Sequence, residues 1–259
     1  MTSRAGVPLT FGSCFAGAGG LDLGLERAGM VCRWQIEVDE FCRRVLEKHW
    51  PNVRRYGDIR NVDAEELERV DVVAGGFPCV DVSNAGKRAG ISAERSGLYR
   101  QAIRTFRLVR PRALLLENVA ALLGRGMGTL LGDLASEGLD AEWDCVSTAD
   151  LGAPAVRDRV FTIAYPTEHR LEGNFRGALA QVSKDGPPKT LDAWNSSSSP
   201  FREWPKLLAE SRVIRVPGGF AAWLDRPKQR LKAIGNCVSP QVAEWIGRRI
   251  LEAHERGAA

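Results

Sequence analysis

An α/β fold, in which a parallel sheet is covered by helices on both faces, is predicted by three features of this sequence. Strand-like and helix-like stretches alternate over the first two-thirds of the chain. Some of the strand-like stretches are continuously apolar, as strands buried on both faces are. The first of them runs straight into a cluster of glycines and then a helix, a βα turn of the open-sheet kind.

The elements follow in order. "LTFGSCFAG" (9–17) reads as a strand entering a glycine turn, and "GLDLGLERAG" (20–29) as a helix closed by glycine. "CRWQIEV" (32–38) is the next strand, and Asp39 is the expected N-cap of the helix "DEFCRRVLEKHW" (39–50). A strand around 70–74, a helix near 98–109, the strand "ALLLENV" (113–119) and a helix near 129–137 continue the series. The β-rich pair "AEWDCVSTAD" (141–150) and "RVFTIAY" (159–165) closes it. From there to about 230 the periodicity fails. That segment holds "DGPP", "NSSSSP" and the tryptophans Trp194, Trp204 and Trp223, and it reads as loop-rich. "SPQVAEWIGRRILEAHE" (239–255) is a final helix with Val242, Trp245, Ile246 and Ile250 on its apolar side.

Composition narrows the function. An apolar fraction of 44% and a charged fraction of 26% are ordinary for a globular enzyme. The six cysteines are scattered without a CxxC pair, and the N-terminus is not signal-like, so free thiols in a reducing cytoplasm are expected. Apolar runs are too short to span a bilayer. The three histidines lack metal-ligand spacing, so neither a membrane nor a metal is expected. The net charge of +4 is uneven: residues 166–232 carry 12 Lys/Arg against 7 Asp/Glu, and the rest of the chain 24 against 25. That excess points weakly to a polyanionic partner, and a solvated loop explains it as well.

Chemistry-bearing residues gather at strand ends. In "FAGAGGLDLG" (15–24), a strand, close glycines and a helix start form the architecture of nucleotide-type cofactor sites. Asp22 stands where the dinucleotide pattern needs its third glycine, which speaks against NAD. Glu37, 20 residues past Gly17 at the end of the second strand, can accept both hydroxyls of a ribose. Asp58 in "YGDIR" can accept from an adenine amine. Ribose and adenine contacts without a pyrophosphate cradle suit S-adenosylmethionine, though glycine turns are common.

In "VVAGGFPCVDVS" (72–83), glycines and a proline halt the strand just before Cys79. A thiol there projects from the sheet's C-terminal edge, yet most free cysteines are simply buried. Glu117 ends its own apolar strand at the same edge, and a strand-end or capping acid would look alike. Arg157 and Arg159 share one face of an extended "GAPAVRDRVF" (152–161), or form a surface pair with Asp158. Together these groups answer one chemical problem. C5 of cytosine is too weak a nucleophile to take a methyl group directly. A thiolate adding to C6 makes C5 an enamine carbon, and an acid at N3 and a cation at O2 stabilise the ring.

With these blocks in this order, the chain resembles the cytosine-C5 DNA methyltransferases of bacterial and phage type over nearly its whole length. "FAGAGG" is similar to the cofactor-loop motif, "GGFPC" to the Pro-Cys motif, "ENV" to the Glu motif and "RDR" to the arginine motif. "AIGNCVSP" (233–240) is similar to the C-terminal motif that returns to the cofactor pocket.

The resemblance implies a Rossmann-like, S-adenosylmethionine-dependent enzyme making 5-methylcytosine in double-stranded DNA, with the target base flipped out. It implies Cys79 as nucleophile, Pro78 shaping its loop, Glu117 at N3 and the exocyclic amine, Arg159 at O2 and Arg157 in support. Phe15, Gly17, Gly19, Gly20, Glu37, Val38, Asp58, Ile59, Leu98 and Asn236 would surround the cofactor. Residues 1–166 and 232–259 would form the catalytic domain, and 167–231 a short target-recognition region. A cytoplasmic monomer is expected, with or without a cognate restriction enzyme.

Three residues depart from the family pattern. Val80 and Ala155 stand where glutamine is usual, and Val38 where an aromatic often stacks on adenine. The recognition region is also short, and its arginines (Arg170, Arg176, Arg202, Arg212, Arg215) can serve phosphates or guanine edges. Two rivals remain: a tRNA cytosine-C5 methyltransferase of the same catalytic type, and a silent DNA-binding relative. The retained Cys79, Glu117 and Arg159 speak against the second.

Overall fold

Successive side chains of a strand point to opposite faces, so a strand with no polar interruption must be covered twice. The structure, a computed structural model, describes residues 7–78, 96–151, 157–167 and 236–258, with Gln229 and Ala233 besides. Its strands are β1 (Thr10–Cys14), β2 (Val31–Ile36), β3 (Arg54–Tyr56), β4 (Val72–Gly76), β5 (Ala113–Val119), β6 (Leu139–Ser147) and β7 (Asp158–Pro166). Its helices are α1 (Gly20–Ala28), α2 (Glu40–His49), α3 (Tyr99–Val109), α4 (Leu122–Arg125), α5 (Met127–Ser136) and α6 (Pro240–Ala258).

The strands form one sheet in the order β3-β2-β1-β4-β5-β7-β6. Val72 and Ala74 of β4, with Ala113 and Leu115 of β5, share a core with Leu21 and Leu25 of α1 and Val242, Ile246 and Ile250 of α6. The intervening Val73, Leu114 and Leu116 share the other core with Ile103 and Phe106 of α3 and Leu130 and Leu134 of α5. Local signals act where the sequence places them. The Asp39 carboxylate accepts from Phe41 and Cys42 N–H at 3.0 and 3.2 Å, and Gly29 closes α1 with φ 109°.

One expectation is corrected. β1 to β5 pair in parallel, but β7 runs antiparallel to both β5 and β6. Only ten residues separate Ser147 from Asp158, fewer than the crossover that a parallel neighbour requires. The four-residue α4 is also absent from the sequence reading, because one turn is too short to show a period.

The seam between α1 and α6 is close. A Cβ on Gly24 would lie 2.3 Å from Ala243 Cβ and 2.5 Å from the Pro240 carbonyl oxygen. Backbone lies on one side of that contact, so it cannot yield by a side-chain rotation. Gly24→Val is expected to lower stability by about 1–3 kcal/mol through overpacking. The urea midpoint of the purified variant measures it.

Candidate active site

β1 lies between β2 and β4, so the order of strands reverses direction there. In open α/β sheets the crevice beyond the carboxyl ends of such a strand pair receives ligands. The glycine loop leaves β1 at this edge, and the Pro-Cys turn leaves β4.

The glycine loop is built on left-handed backbone, with Gly17 at φ 57° and Gly19, the N-cap of α1, at φ 84°. Phe15 also has positive φ and packs, half-buried, against the core. The Gly17 N–H donates to Glu37 Oε2 at 2.7 Å, and Glu37 Oε1 accepts from the Asp39 N–H at 2.7 Å. Glu37 thus ties the loop to the start of α2. A carboxylate oxygen has two lone pairs, so both retain acceptor capacity for hydroxyl groups. The space at Gly17 is open: a Cβ there would approach only the Phe15 carbonyl oxygen, at 4.0 Å. Val38, next to Glu37, is 69% exposed. An open backbone cradle, a carboxylate and an uncovered apolar side chain fit a nucleoside-bearing cofactor.

Asp58 follows β3, beside β2, at the same edge. It caps a short 3-10 turn whose first residue, Ile59, is buried, and its carboxylate pairs with Arg60 Nη2 at 2.5 Å. The Arg60 hydrogen bonds hold the Asp58 carboxyl below its ordinary range. Leu98 is half-buried at the turn that opens α3.

At the other side of the crevice, Gly76 sits opposite Glu117 in the parallel ladder. A Cβ on Gly76 would come within 2.8 Å of Glu117 Oε2, so its absence makes room for the carboxyl. Glu117 is buried, and its Oε1 pairs with Arg159 Nε at 2.9 Å. Burial pushes the Glu117 carboxyl up to about 7, while the Arg159 and Arg157 guanidinium groups pull it down. Glu117 is therefore not an exposed strand-end acid. Arg159 pairs with it rather than with the Asp158 carboxylate, and meets Asp158 only at its backbone carbonyl, 2.9 Å away.

Pro78 is half-buried and is the last described residue before Cys79. Cys79 and Val80 lie outside the described residues, as do Ala155 and the five arginines of the short recognition region. Asn236 is exposed, and the sulfur of the next residue, Cys237, packs against Gly20, where a Cβ would lie 2.2 Å from it. The structure thus brings the glycine loop against Cys237, and it brings Glu117 against Arg159 with Arg157 in its field.

Other polar groups here escaped the sequence reading. Asn118 Nδ2 donates to the Phe77 carbonyl oxygen at 3.1 Å, pinning the turn that leads to Pro78. Asp22 is fully buried beneath the glycine loop, accepting from Ser13 Oγ at 3.0 Å and Gln35 Nε2 at 2.9 Å. Burial pushes its carboxyl up to about 6 against those two hydrogen bonds. Its signal was visible: an acid in the place of a glycine, on the inner face of a helix. Among the described residues, no group of three or more His, Cys, Asp or Glu could hold a metal ion, and no helix is long and apolar enough to cross a membrane.

The fold and the site define an α/β methyltransferase. The S. pombe Dnmt2 methyltransferase has the same fold, with a TM-score of 0.61 at 12% identity over 94% of this chain and 98% of that one. A model of the C-5 cytosine-specific DNA methylases matches residues 9–202. The chain is 34% identical to the Type II methyltransferase M2.BsuMI of Bacillus subtilis, covering 92% of this chain and 74% of that protein. It is 36% identical to the Type II methyltransferase M.NgoMIV of Neisseria gonorrhoeae, covering 92% and 96%. The chain belongs to the C-5 cytosine-specific DNA methylase family, and its enzymatic class is DNA (cytosine-5-)-methyltransferase.

The raised Glu117 carboxyl has a signed consequence. Its proton favours the folded state fully below about 4.5, and that contribution is lost as pH rises through about 7. Stability is expected to fall across this window by on the order of 3 kcal/mol, while Glu117→Gln lacks that fall. Arg159→Met moves the midpoint higher, because the guanidinium holds it down. Urea unfolding at a series of pH values checks both.

Proposed function

We propose that the protein methylates C5 of cytosine in duplex DNA, using S-adenosylmethionine, through a covalent bond between Cys79 Sγ and C6 of a base swung out of the helix. The observation that carries this reading is the buried Glu117–Arg159 pair, 2.9 Å apart, at the carboxyl end of β5, beside the end of β4 that precedes Pro78. A carboxyl that titrates near neutrality can keep a proton for N3 of the ring, and a guanidinium beside it suits O2.

The Cys79 thiolate adds to C6 and forms the S–C6 bond, while the Glu117 proton moves toward N3 and C5 becomes an enamine carbon. S-adenosylmethionine, when bound, would supply an electrophilic methyl group, whose carbon C5 takes as the S–CH3 bond breaks and its electron pair stays on sulfur as a thioether. The C5 proton then leaves to a base, the S–C6 bond breaks with return of the electron pair to sulfur, the C5–C6 double bond reforms, and N3 gives its proton back to Glu117. Arg157 adds positive charge beside Glu117, and Asn118 fixes the backbone ahead of Pro78.

On this reading Gly17, Gly19 and Gly20 give the cofactor access to the backbone. Glu37 takes the ribose hydroxyls, Val38 and Phe15 offer apolar surface to the adenine, and Asp58 and Ile59 flank it. Leu98 and Asn236 close the pocket. Residues 1–166 and 232–259 act as the catalytic domain and 167–231 as the target reader, in a cytoplasmic monomer with or without a restriction partner.

Cys79→Ser is expected to abolish methyl transfer while S-adenosylmethionine still binds. The parent should form a lasting adduct with duplex DNA containing 5-fluorocytosine, whose C5 cannot lose a proton, and the variant should not. Equal turnover by variant and parent would refute the nucleophile. Label appearing in tRNA alone, when both nucleic acids are offered, would overturn the substrate.

A further inference from the structure

Glu37 secures the glycine loop at Gly17. At the other end, Gly19 is met by a ring that belongs to no sequence motif. A Cβ on Gly19 would fall 2.5 Å from Trp50 Cζ3 and 3.0 Å from Leu46 Cδ2, so the loop lies directly on the indole. The opposite end of that ring is fixed too: Trp50 Nε1 donates to Glu26 Oε2 at 2.7 Å. Glu26 is on α1, whose N-cap is Gly19 itself. Helix side chains lean toward the N-terminus, so Glu26 reaches back along the helix to the ring that supports its first turn.

The backbone of Trp50 is equally constrained. As C-cap of α2 it donates to the Leu46 carbonyl oxygen at 2.7 Å, and its own carbonyl accepts from Arg55 Nη1 at 2.6 Å and Val53 N–H at 3.2 Å. The His49 ring meets it edge-on, with centroids 6.1 Å apart. Helix α2 therefore grips the glycine loop from both of its ends, through Glu37 at the start and Trp50 at the finish.

We propose that Trp50, oriented by Glu26, is a positioning residue for S-adenosylmethionine: the ring sets the height and tilt of Gly19, and with it the backbone on which the cofactor lies. This rests on the reading that the glycine loop binds S-adenosylmethionine. Gly19 has no side chain of its own, and its backbone bonds, to Ala16 and Leu23, stay within the loop and α1, so removing the ring takes away its main packing support from α2 while Glu37 still holds the other end.

Cofactor affinity, measured by titration calorimetry without DNA, and steady-state constants on duplex DNA separate this role from simple packing. Trp50→Leu should weaken S-adenosylmethionine binding about tenfold, with kcat at saturating cofactor and the KM for DNA within about twofold of the parent. Trp50→Phe, which keeps a ring on Gly19 but lacks the N–H, should lose about threefold, and Glu26→Leu should match it. Glu26→Gln keeps an acceptor and should bind like the parent. In the double variant Trp50→Phe/Glu26→Leu the losses should not add, since both remove one hydrogen bond.

Unchanged cofactor affinity in Trp50→Leu, or an equal shift in kcat and DNA KM, overturns the proposal. If Trp50→Leu does not fold, the contrast of Glu26→Leu with Glu26→Gln decides the matter, and equal affinities there overturn it. Failure of the parent to bind S-adenosylmethionine overturns the cofactor reading and the proposal together. Parental binding with unaltered variants overturns the positioning role alone.

Discussion

The antiparallel pairing of β7 with β5 is the constraint on which the Glu117–Arg159 edge depends. Glu117 stands near the carboxyl end of β5, and Arg159 near the start of β7, opposite Val119. Those positions are neighbours only because the two strands run in opposite directions. Were β7 parallel to β5, its first residues would sit at the far edge of the sheet, roughly 20 Å from the carboxyl at about 3.3 Å per residue. The short β6–β7 link that prevents a crossover is thus also what carries a guanidinium to a buried acid. Departure from the all-parallel pattern is confined to the strands where the site needs it.

Burial around this edge is balanced by specific partners rather than by solvent. A lone carboxylate inside an apolar sheet is costly, and the structure limits the cost in two different ways. Glu117 has a cation at 2.9 Å and a second in its field, yet burial still wins and raises its proton affinity. Asp22 is held by a hydroxyl and an amide instead, and burial again dominates. The first arrangement leaves an acid of raised proton affinity at the edge of the crevice. The second ties β1, β2 and α1 together under the glycine loop and faces inward.

Much of this was legible in the chain, and the reason differs from element to element. The βα turn at Phe15–Gly20, the cap at Asp39 and the closing glycine at Gly29 are local, and local chemistry marks them. Continuous apolar strands announced a sheet covered twice. The direction of β7 was not legible, because "RVFTIAY" has the same composition whichever way it runs, and only the length of the preceding link decides. Glu117 and Arg159 were each readable as candidates, but their pairing is a matter of register across two strands. Trp50 and Glu26 were invisible for a related reason: one reads as the end of a helix and the other as a surface acid, and their partnership exists only across two elements.

Long-range closure of the glycine-loop edge follows from small residues on α1. Gly20 and Gly24 lie one turn apart on the face turned to the chain's last helix. The Cys237 sulfur and the Val238 carbonyl lie against the first, and the backbone at Pro240 lies against the second. A larger side chain at either position would push α6 away and with it the segment carrying Asn236. The core that α1 and α6 share, through Leu21, Leu25, Val242, Ile246 and Ile250, supplies the apolar burial that holds this close approach in place. The glycine loop is therefore shaped from three sides: by Glu37 between β2 and α2, by Trp50 at the end of α2, and by Cys237 from a segment more than two hundred residues away in sequence. A loop with so little side-chain mass of its own keeps one shape only because its neighbours impose it.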